Sequence, residues 1–237
     1  MKNNNKFRLD VWGAITLGTI ALYALFLLYP MAYLIRQSVL DPDTGSFTLA
    51  YFTKFFSKSY YFDTLINSFK VSITATVLSI AIGTPLAYLF TIFKIKGKSV
   101  LNILIVVASM SAPFIGAYSW ILLLGRSGVI TTFFKNLGIA IPDIYGFGGI
   151  VLVMTLQLFP LVFLYAKGAL KNIDNSLIEA AENLGCSGIA CFFKVVVPLI
   201  MPTLLAAALL VFMRSFADFG TPMLIGEGYR TFPVVLY

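Results

Sequence analysis

Five long apolar runs dominate this sequence of 237 residues, and they restrict the chain to a membrane. A transmembrane α-helix needs about 20 consecutive, mostly apolar residues, and each run reaches that length. Hydrophobic residues make up 59% of the chain and charged residues 11%, whereas roughly 25% of residues are charged in a soluble domain. The sequence therefore predicts an all-α integral membrane protein, a polytopic helical bundle with spans near residues 11–35, 66–93, 100–125, 144–166 and 195–220.

The first run carries no charge from Val11 to Ile35 and follows a basic N-terminal segment. A secretory signal peptide has an apolar core of about 7–15 residues that ends in a small-x-small cleavage site. This run is much longer and contains no Ala-x-Ala. It predicts an uncleaved first span.

Two of the spans contain helix-disturbing triplets, Gly83-Thr84-Pro85 and Ser111-Ala112-Pro113. Proline lacks a backbone donor, so neighbouring helices must satisfy the carbonyls that it frees. We therefore expect the span around Pro85 to be buried among others. Between Arg126 and Asp143, apolar residues recur at helical spacing and predict a short helix on the membrane surface.

The polar segment 167–198 separates the last two apolar runs. Ser176 and Glu179 have the spacing of a capping box, which predicts a helix that starts near Ser176. Gly185 stands where a left-handed residue would end that helix. Between these signals lies a short apolar stripe at helical spacing, made of Leu177, Ala181 and Leu184, with Glu179 and Glu182 beside it.

The same segment resembles the EAA loop of bacterial ABC-importer permeases. The matching residues are Glu179-Ala180-Ala181, then Gly185, then Val195-Val196-Val197-Pro198 after nine intervening residues, with valine at the two aliphatic positions. The resemblance implies a type I ABC-importer permease fold and a cytoplasmic loop whose short helix docks into the ATPase subunit. It assigns the coupling role to Glu179, Ala180, Ala181, Gly185 and Pro198.

The resemblance also implies partners for the chain. No G-x-x-x-x-G-K-[ST] motif occurs, so the ATPase must be another chain and this one is a permease rather than an enzyme. An extracytoplasmic solute-binding protein would deliver the substrate. In this family the EAA loop commonly lies between the fourth and fifth of six spans. We therefore expect that a sixth span is missing and that a second permease half, fused or separate, completes the transporter.

The placement of Lys and Arg gives the orientation in a bacterial cytoplasmic membrane. With the N-terminus inside, nine basic residues lie in cytoplasmic segments and seven in outer loops, a modest positive-inside bias. The inner ones are Lys2, Lys6, Arg8, Lys94, Lys96, Lys98, Lys167, Lys171 and Lys194. This orientation also puts Cys186 and Cys191 in the cytoplasm.

Ionisable residues within membrane spans commonly face a bundle interior or a wet cavity. Arg214 and Asp218 are four residues apart on the fifth span, so they are predicted to share a helix face and pair. Two interpretations remain open for them, a lining of the translocation path or an ion pair that closes the helix at the outer interface. Gln157 on the fourth span is a further path candidate, or an interhelical hydrogen bond.

The substrate is the least constrained prediction. Residues 216–222, Phe-Ala-Asp-Phe-Gly-Thr-Pro, look like the corresponding stretch of ferric-iron permeases. A single span carboxylate opposed by Arg214 disfavours polyamines and suits an anion or a ferric ion that travels with one. Ferric iron is the leading hypothesis for the substrate. The alternatives are the substrates of other permeases that share this scaffold, namely phosphonate, thiamine, sulfate and polyamine.

Other classes of protein are less compatible with the sequence. An ion-gradient-driven secondary transporter is expected to show inverted repeats and polar broken-helix sites, and no internal repeat is visible. The chain has no His and no G-x-S-x-G, which disfavours a membrane enzyme. The net charge of +7 is scattered over segment ends, so it does not predict nucleic-acid binding. We expect no cofactor and no metal site, since the spacing of the two cysteines suits neither zinc nor redox chemistry.

Overall fold

The computed structural model describes residues 11–42, 44–93, 96–139, 142–186 and 188–236. The regular secondary structure of the described residues is helical apart from one isolated bridge, between Leu40 and Phe47. In chain order the α-helices are α1 (Val11–Tyr23), α2 (Tyr29–Val39), α3 (Ala50–Ser57), α4 (Ser59–Ile92), α5 (Lys98–Ser109), α6 (Pro113–Leu124), α7 (Val129–Asn136), α8 (Phe147–Lys171), α9 (Asn175–Asn183), α10 (Gly188–Cys191), α11 (Val197–Phe216), α12 (Gly220–Ile225) and α13 (Phe232–Leu236).

Five helical stretches are long and apolar enough to cross a membrane, which is the number that the sequence predicts. The third stretch starts within the predicted span 100–125 and ends beyond it. They are Val11–Val39, Ser59–Ile92, Pro113–Asn136, Phe147–Lys171 and Gly188–Phe216. Helices α4 and α8 extend beyond the predicted spans, at the N-terminal and the C-terminal end respectively. Of the basic residues used for the orientation, Lys2, Lys6, Arg8 and Lys94 lie outside the described residues.

The chain divides into two compact units, residues 1–62 and 63–237. In the first unit, a π-helical turn over Ala24–Leu28 joins α1 and α2 into one long helix. None of residues 11–39 is buried. Because this helix is apolar on all sides, its exposed surface has the composition of a lipid-facing span.

In the second unit, α4 and α8 approach closely at Gly83. A Cβ on Gly83 would lie 2.9 Å from the backbone oxygen of Phe159 and 2.9 Å from Val162 Cβ. Two turns further along α4, the rings of Phe90 and Phe163 pack edge to face, with centroids 5.2 Å apart. The half of α4 that contains Pro85 is therefore packed against other helices, as predicted, and glycine sets the interhelical distance.

The third predicted span is broken into two helices. Helix α5 ends at Ser109 and α6 starts at Pro113, which leaves Met110, Ser111 and Ala112 outside both. Proline fits the first turn of a helix because its missing N–H would have no intrahelical partner there. The Ser-Ala-Pro triplet therefore ends one helix and begins the next.

The connection between α6 and α8 contains the predicted short helix, α7. Arg126 Nε pairs with Asp143 Oδ2 at 3.0 Å, and its Nη2 pairs with Glu227 Oε1 at 2.8 Å. The guanidinium also lies over the Tyr145 ring, 4.8 Å from the centroid. Arg126 thus connects this loop to the turn after α12. Because these groups are open to solvent, water and salt screen both ion pairs.

Candidate functional site

The predicted coupling helix is present as α9, and Asp174 caps it rather than Ser176. The helix begins at Asn175, and the backbone N–H of Ser176 donates to Asp174 Oδ1 at 3.0 Å. This hydrogen bond holds the pKa of Asp174 below its usual value. The predicted capping box is therefore wrong in its register, because an aspartate two residues upstream satisfies the free donor.

Gly185 ends the helix as predicted. Its φ is +84°, and the N–H of Cys186 donates to the oxygen of Ala181 at 3.0 Å. In the Schellman motif, the residue that follows a left-handed glycine donates its N–H to a carbonyl oxygen of the last helical turn, as Cys186 does here. The fixed glycine of the motif is thus the residue that terminates α9 and redirects the chain.

The surface of α9 is open. Glu179 and Ala180 are exposed, Leu177 is 50% exposed and Leu184 is 89% exposed, while Ala181 is half-buried. The side chain of Glu182, which the sequence places beside this stripe, lies outside the description. The leucines of the predicted apolar stripe therefore leave most of their surface uncovered by this chain.

The segment after α9 anchors it to the bundle. Cys191 and Phe192 are buried, and the Phe192 ring packs against Tyr88 of α4 with centroids 4.7 Å apart. A π-helical turn over Phe192–Val196 then leads into α11, whose second residue is Pro198. Because Pro198 has no N–H, the normal hydrogen-bond ladder is interrupted here, and Val197 N–H donates to Phe192 O instead.

The three path candidates line one cavity. Gln157, Arg214 and Asp218 surround a volume of about 490 Å³. A neighbouring cavity of about 470 Å³ shares Gln157 and Arg214. The other walls of the first cavity come mainly from the break between α5 and α6 and from the start of α12. The residues that complete its lining are Ser109, Ser111, Pro113, Phe114, Leu158, Ala217, Phe219 and Gly220.

Asp218 does not share a helix face with Arg214, and the predicted ion pair is not formed. Helix α11 ends at Phe216, and Asp218 instead caps α12. Its Oδ1 accepts from the N–H of Gly220 at 2.8 Å and its Oδ2 from the Thr221 hydroxyl at 2.7 Å. The spacing argument fails because the helix stops between the two residues.

Gln157 makes the interhelical contact that the sequence left open. Its Nε2 donates to the backbone oxygen of Pro113 at 3.5 Å, a long hydrogen bond. The side-chain amide also packs directly on Gly116 of α6. Gln157 is therefore a wall of the cavity and a contact between α6 and α8 at once.

Sequence reasoning missed several residues of these sites. Asp174 was missed because the Ser176 and Glu179 spacing gave a competing signal. Ser109 and Gly116 carry no motif, and only the approach of distant helices brings them to Gln157. The sequence signal that could have located this cavity was the Ser-Ala-Pro break, since broken helices in membranes commonly line cavities.

Residues 46–236 match the family of binding-protein-dependent transport system inner membrane components. A putative ferric transport system permease of Haemophilus influenzae is 28% identical over 92% of this chain, and the match covers 34% of that protein. The spermidine/putrescine transport system permease of the same organism is also 28% identical, over 94% of this chain and 79% of that protein. The chain thus spans about a third of the ferric relative.

The fold has a solved counterpart. A chain of a bacterial alginate ABC transporter, crystallised with an alginate-bound periplasmic protein, superposes with a TM-score of 0.74 at 16% identity. The superposition covers 94% of this chain and 78% of that chain. At this identity the likeness concerns the fold alone, and it agrees with the type I importer architecture that the EAA loop implies. With the family match over residues 46–236, it follows that the chain belongs to the family of inner membrane permease components of binding-protein-dependent transport systems.

Proposed function

We propose that this chain is the transmembrane subunit of an ATP-driven importer that brings ferric iron across the cytoplasmic membrane. Its partners are ABC ATPase subunits, an extracytoplasmic solute-binding protein and a second permease half, fused or separate. Membership of a binding-protein-dependent family supports the partners. In this proposal the N-terminus and the loop 167–198 are cytoplasmic.

The exposed helix α9 is the observation that carries the coupling role. Glu179, Ala180 and Leu184 present an open surface, while the following Phe192 is buried against Tyr88. A short helix that is free on its outer face and followed closely in the chain by a buried anchor can transmit a displacement into the bundle. ATP hydrolysis by the partner would move α9, and α11 would follow through Pro198.

The cavity around Gln157, Arg214 and Asp218 supports a translocation path at this position. Three separate helical segments and one helix break form its walls, so a relative movement of these elements would change its access. Ionisable side chains at membrane depth are costly unless they face such a space. We assign these three side chains to the path.

Ferric iron and polyamine are the two cargo candidates among the relatives. Permeases named for each are 28% identical to this chain. The sequence at residues 216–222 favours iron. The match to the polyamine permease, however, covers most of that protein's length. A cargo test must therefore include both.

Uptake by cells decides the cargo. A strain that lacks the intact transporter, and the same strain with it restored, are supplied with radioactive iron under iron limitation. Labelled spermidine, phosphonate and thiamine are supplied in parallel. We expect only iron uptake to depend on the transporter. If iron uptake is normal without it and another solute is lost, the iron assignment is wrong while the importer assignment stands.

A charge reversal on α9 tests the coupling role. Because the Glu179 side chain is exposed, Glu179→Lys should leave folding and membrane insertion intact and abolish uptake. Glu179→Gln, which keeps the size and removes the charge, is the matched variant and should retain more activity. Wild-type uptake in Glu179→Lys, with normal ATPase association, would contradict the coupling role.

A further inference from the structure

The cavity lined by Gln157, Arg214 and Asp218, here called the translocation cavity, contains the guanidinium of Arg214 without a partner. Arg214 is exposed to the cavity, and within the described part of the chain it takes no part in a hydrogen bond or ion pair. An arginine at membrane depth is costly. This cost is offset when a negative group binds the guanidinium, whose planar fork matches a carboxylate or an oxyanion in two parallel hydrogen bonds.

The carboxylate in the same cavity is held by hydrogen bonds from the protein. Asp218 accepts hydrogen bonds from the backbone N–H groups of Gly220 and Thr221 and from the Thr221 hydroxyl. Thr221 is fully buried, so these bonds hold the carboxylate toward the protein. Asp218 thus stabilises the start of α12 and leaves the guanidinium of Arg214 free for a ligand.

The remaining polar groups add donors to the cavity. The Ser111 side chain is exposed there and has no hydrogen bond in the described structure. Gln157 Nε2 uses one hydrogen toward Pro113 O and has a second. Ser109 differs, because its hydroxyl donates to Val106 O at 2.6 Å and only its oxygen is free to accept. The free donors Arg214, Ser111 and Gln157 together favour an anion.

We infer that this cavity binds a carboxylate or oxyanion group of the cargo on Arg214, so that the cargo crosses as an anionic complex rather than as a bare cation. This inference rests on the proposed importer function and specifies its substrate class. A polyamine would bring several positive charges toward an unpaired guanidinium, and Coulomb repulsion opposes that. A ferric ion would enter with its ligand anion.

The test uses the intact transporter, with its binding protein and ATPase, reconstituted in liposomes. Uptake is measured with ⁵⁵Fe together with ¹⁴C-citrate, with labelled phosphate, and with labelled spermidine. The variants are Arg214→Lys, which keeps the charge, and Arg214→Gln, which removes it. Arg36→Gln, which removes the same charge from a residue outside the cavity lining, is the control.

We expect wild-type protein to accumulate iron and citrate labels together and spermidine not at all. Arg214→Gln should lower this uptake about tenfold or more, the value of a lost charged hydrogen bond, with Arg214→Lys between it and wild type. Arg36→Gln should match wild type. If the protein imports phosphate instead of iron, and Arg214→Gln loses that import, the cargo is still an anion. Only the iron assignment would then be overturned.

Three results would overturn the inference. They are iron uptake with neither the citrate nor the phosphate label, spermidine uptake, and wild-type rates in Arg214→Gln. In each of these the proposed importer function still stands, because cargo enters in an ATP-dependent manner. If wild-type protein accumulates none of these labels, the iron assignment fails, and the inference about its anionic cargo fails with it.

Discussion

Gly116 and Gln157 lie so close together that a Cβ on the glycine would collide with Nε2 of the glutamine. Gly116 is buried in α6 and Gln157 belongs to α8, so the contact joins two helices that are far apart in sequence. It also fixes the amide at the wall of the cavity that contains Arg214. A Cβ at position 116 would therefore displace the Gln157 amide, the end of a flexible side chain, from this place in the cavity wall.

Gly116→Ala should displace the Gln157 amide and so disturb the cavity. The loss of stability should stay below the about 1–3 kcal/mol of an overpacked core, because the end of the glutamine side chain can swing away. The measurement is the midpoint of thermal unfolding of the purified permease, together with cargo uptake. Gly168→Ala is the matched control, since a Cβ at that helical glycine meets nothing within 4 Å. Uptake should fall in Gly116→Ala, and wild-type uptake in that variant would contradict a role of this contact in the cavity.

Gly185→Val should lower uptake because valine strains a backbone with φ at +84°. The left-handed conformation costs an L-residue about 1–2 kcal/mol, and asparagine tolerates it better than most. Gly185→Asn should therefore retain much more uptake than Gly185→Val. Equal uptake by the two variants, at equal membrane content, would mean that the left-handed turn has no role in coupling.

Cys186 and Cys191 should differ in reactivity. Cys191 is 2% exposed and Cys186 is partly exposed. An impermeant maleimide should label Cys186 in inverted vesicles but not in intact cells, and Cys191 only after denaturation. Cys186→Ser should remove the native labelling, which identifies the reacting thiol. Labelling from outside in intact cells would refute the proposed cytoplasmic side of the loop.

Arg214 and Asp218 should behave as independent residues. Asp218 caps α12 and makes no ion pair with Arg214, so Asp218→Asn, which can still accept hydrogen bonds, should cost less than Asp218→Ala. Loss of a helix cap costs about 1 kcal/mol. In a double-mutant cycle of thermal stability, Arg214→Gln and Asp218→Ala should be additive within about 0.5 kcal/mol. A large coupling energy would restore the ion pair that the sequence spacing predicted.

The sequence by itself determined the features that depend on short stretches of chain. Apolar length predicted five membrane-crossing helices, because a bilayer imposes that length on any span. Gly185 was predicted as a helix terminator, because only a residue without a Cβ adopts its φ at little cost. The Ser-Ala-Pro triplet indicated an interruption where α5 ends and α6 begins.

The tertiary structure decided what depends on contacts between distant segments. Helix α11 stops at Phe216, and Phe114 of α6 packs against Gly220 at the start of α12, with ring atoms 3.2 Å from the position of a Cβ. That change of direction moves Asp218 from the face of Arg214 to the cap of α12. No local spacing encodes such an approach, because its free energy comes from packing against a helix about a hundred residues earlier in the chain. The burial of Cys191 and the cavity around Arg214 have the same origin.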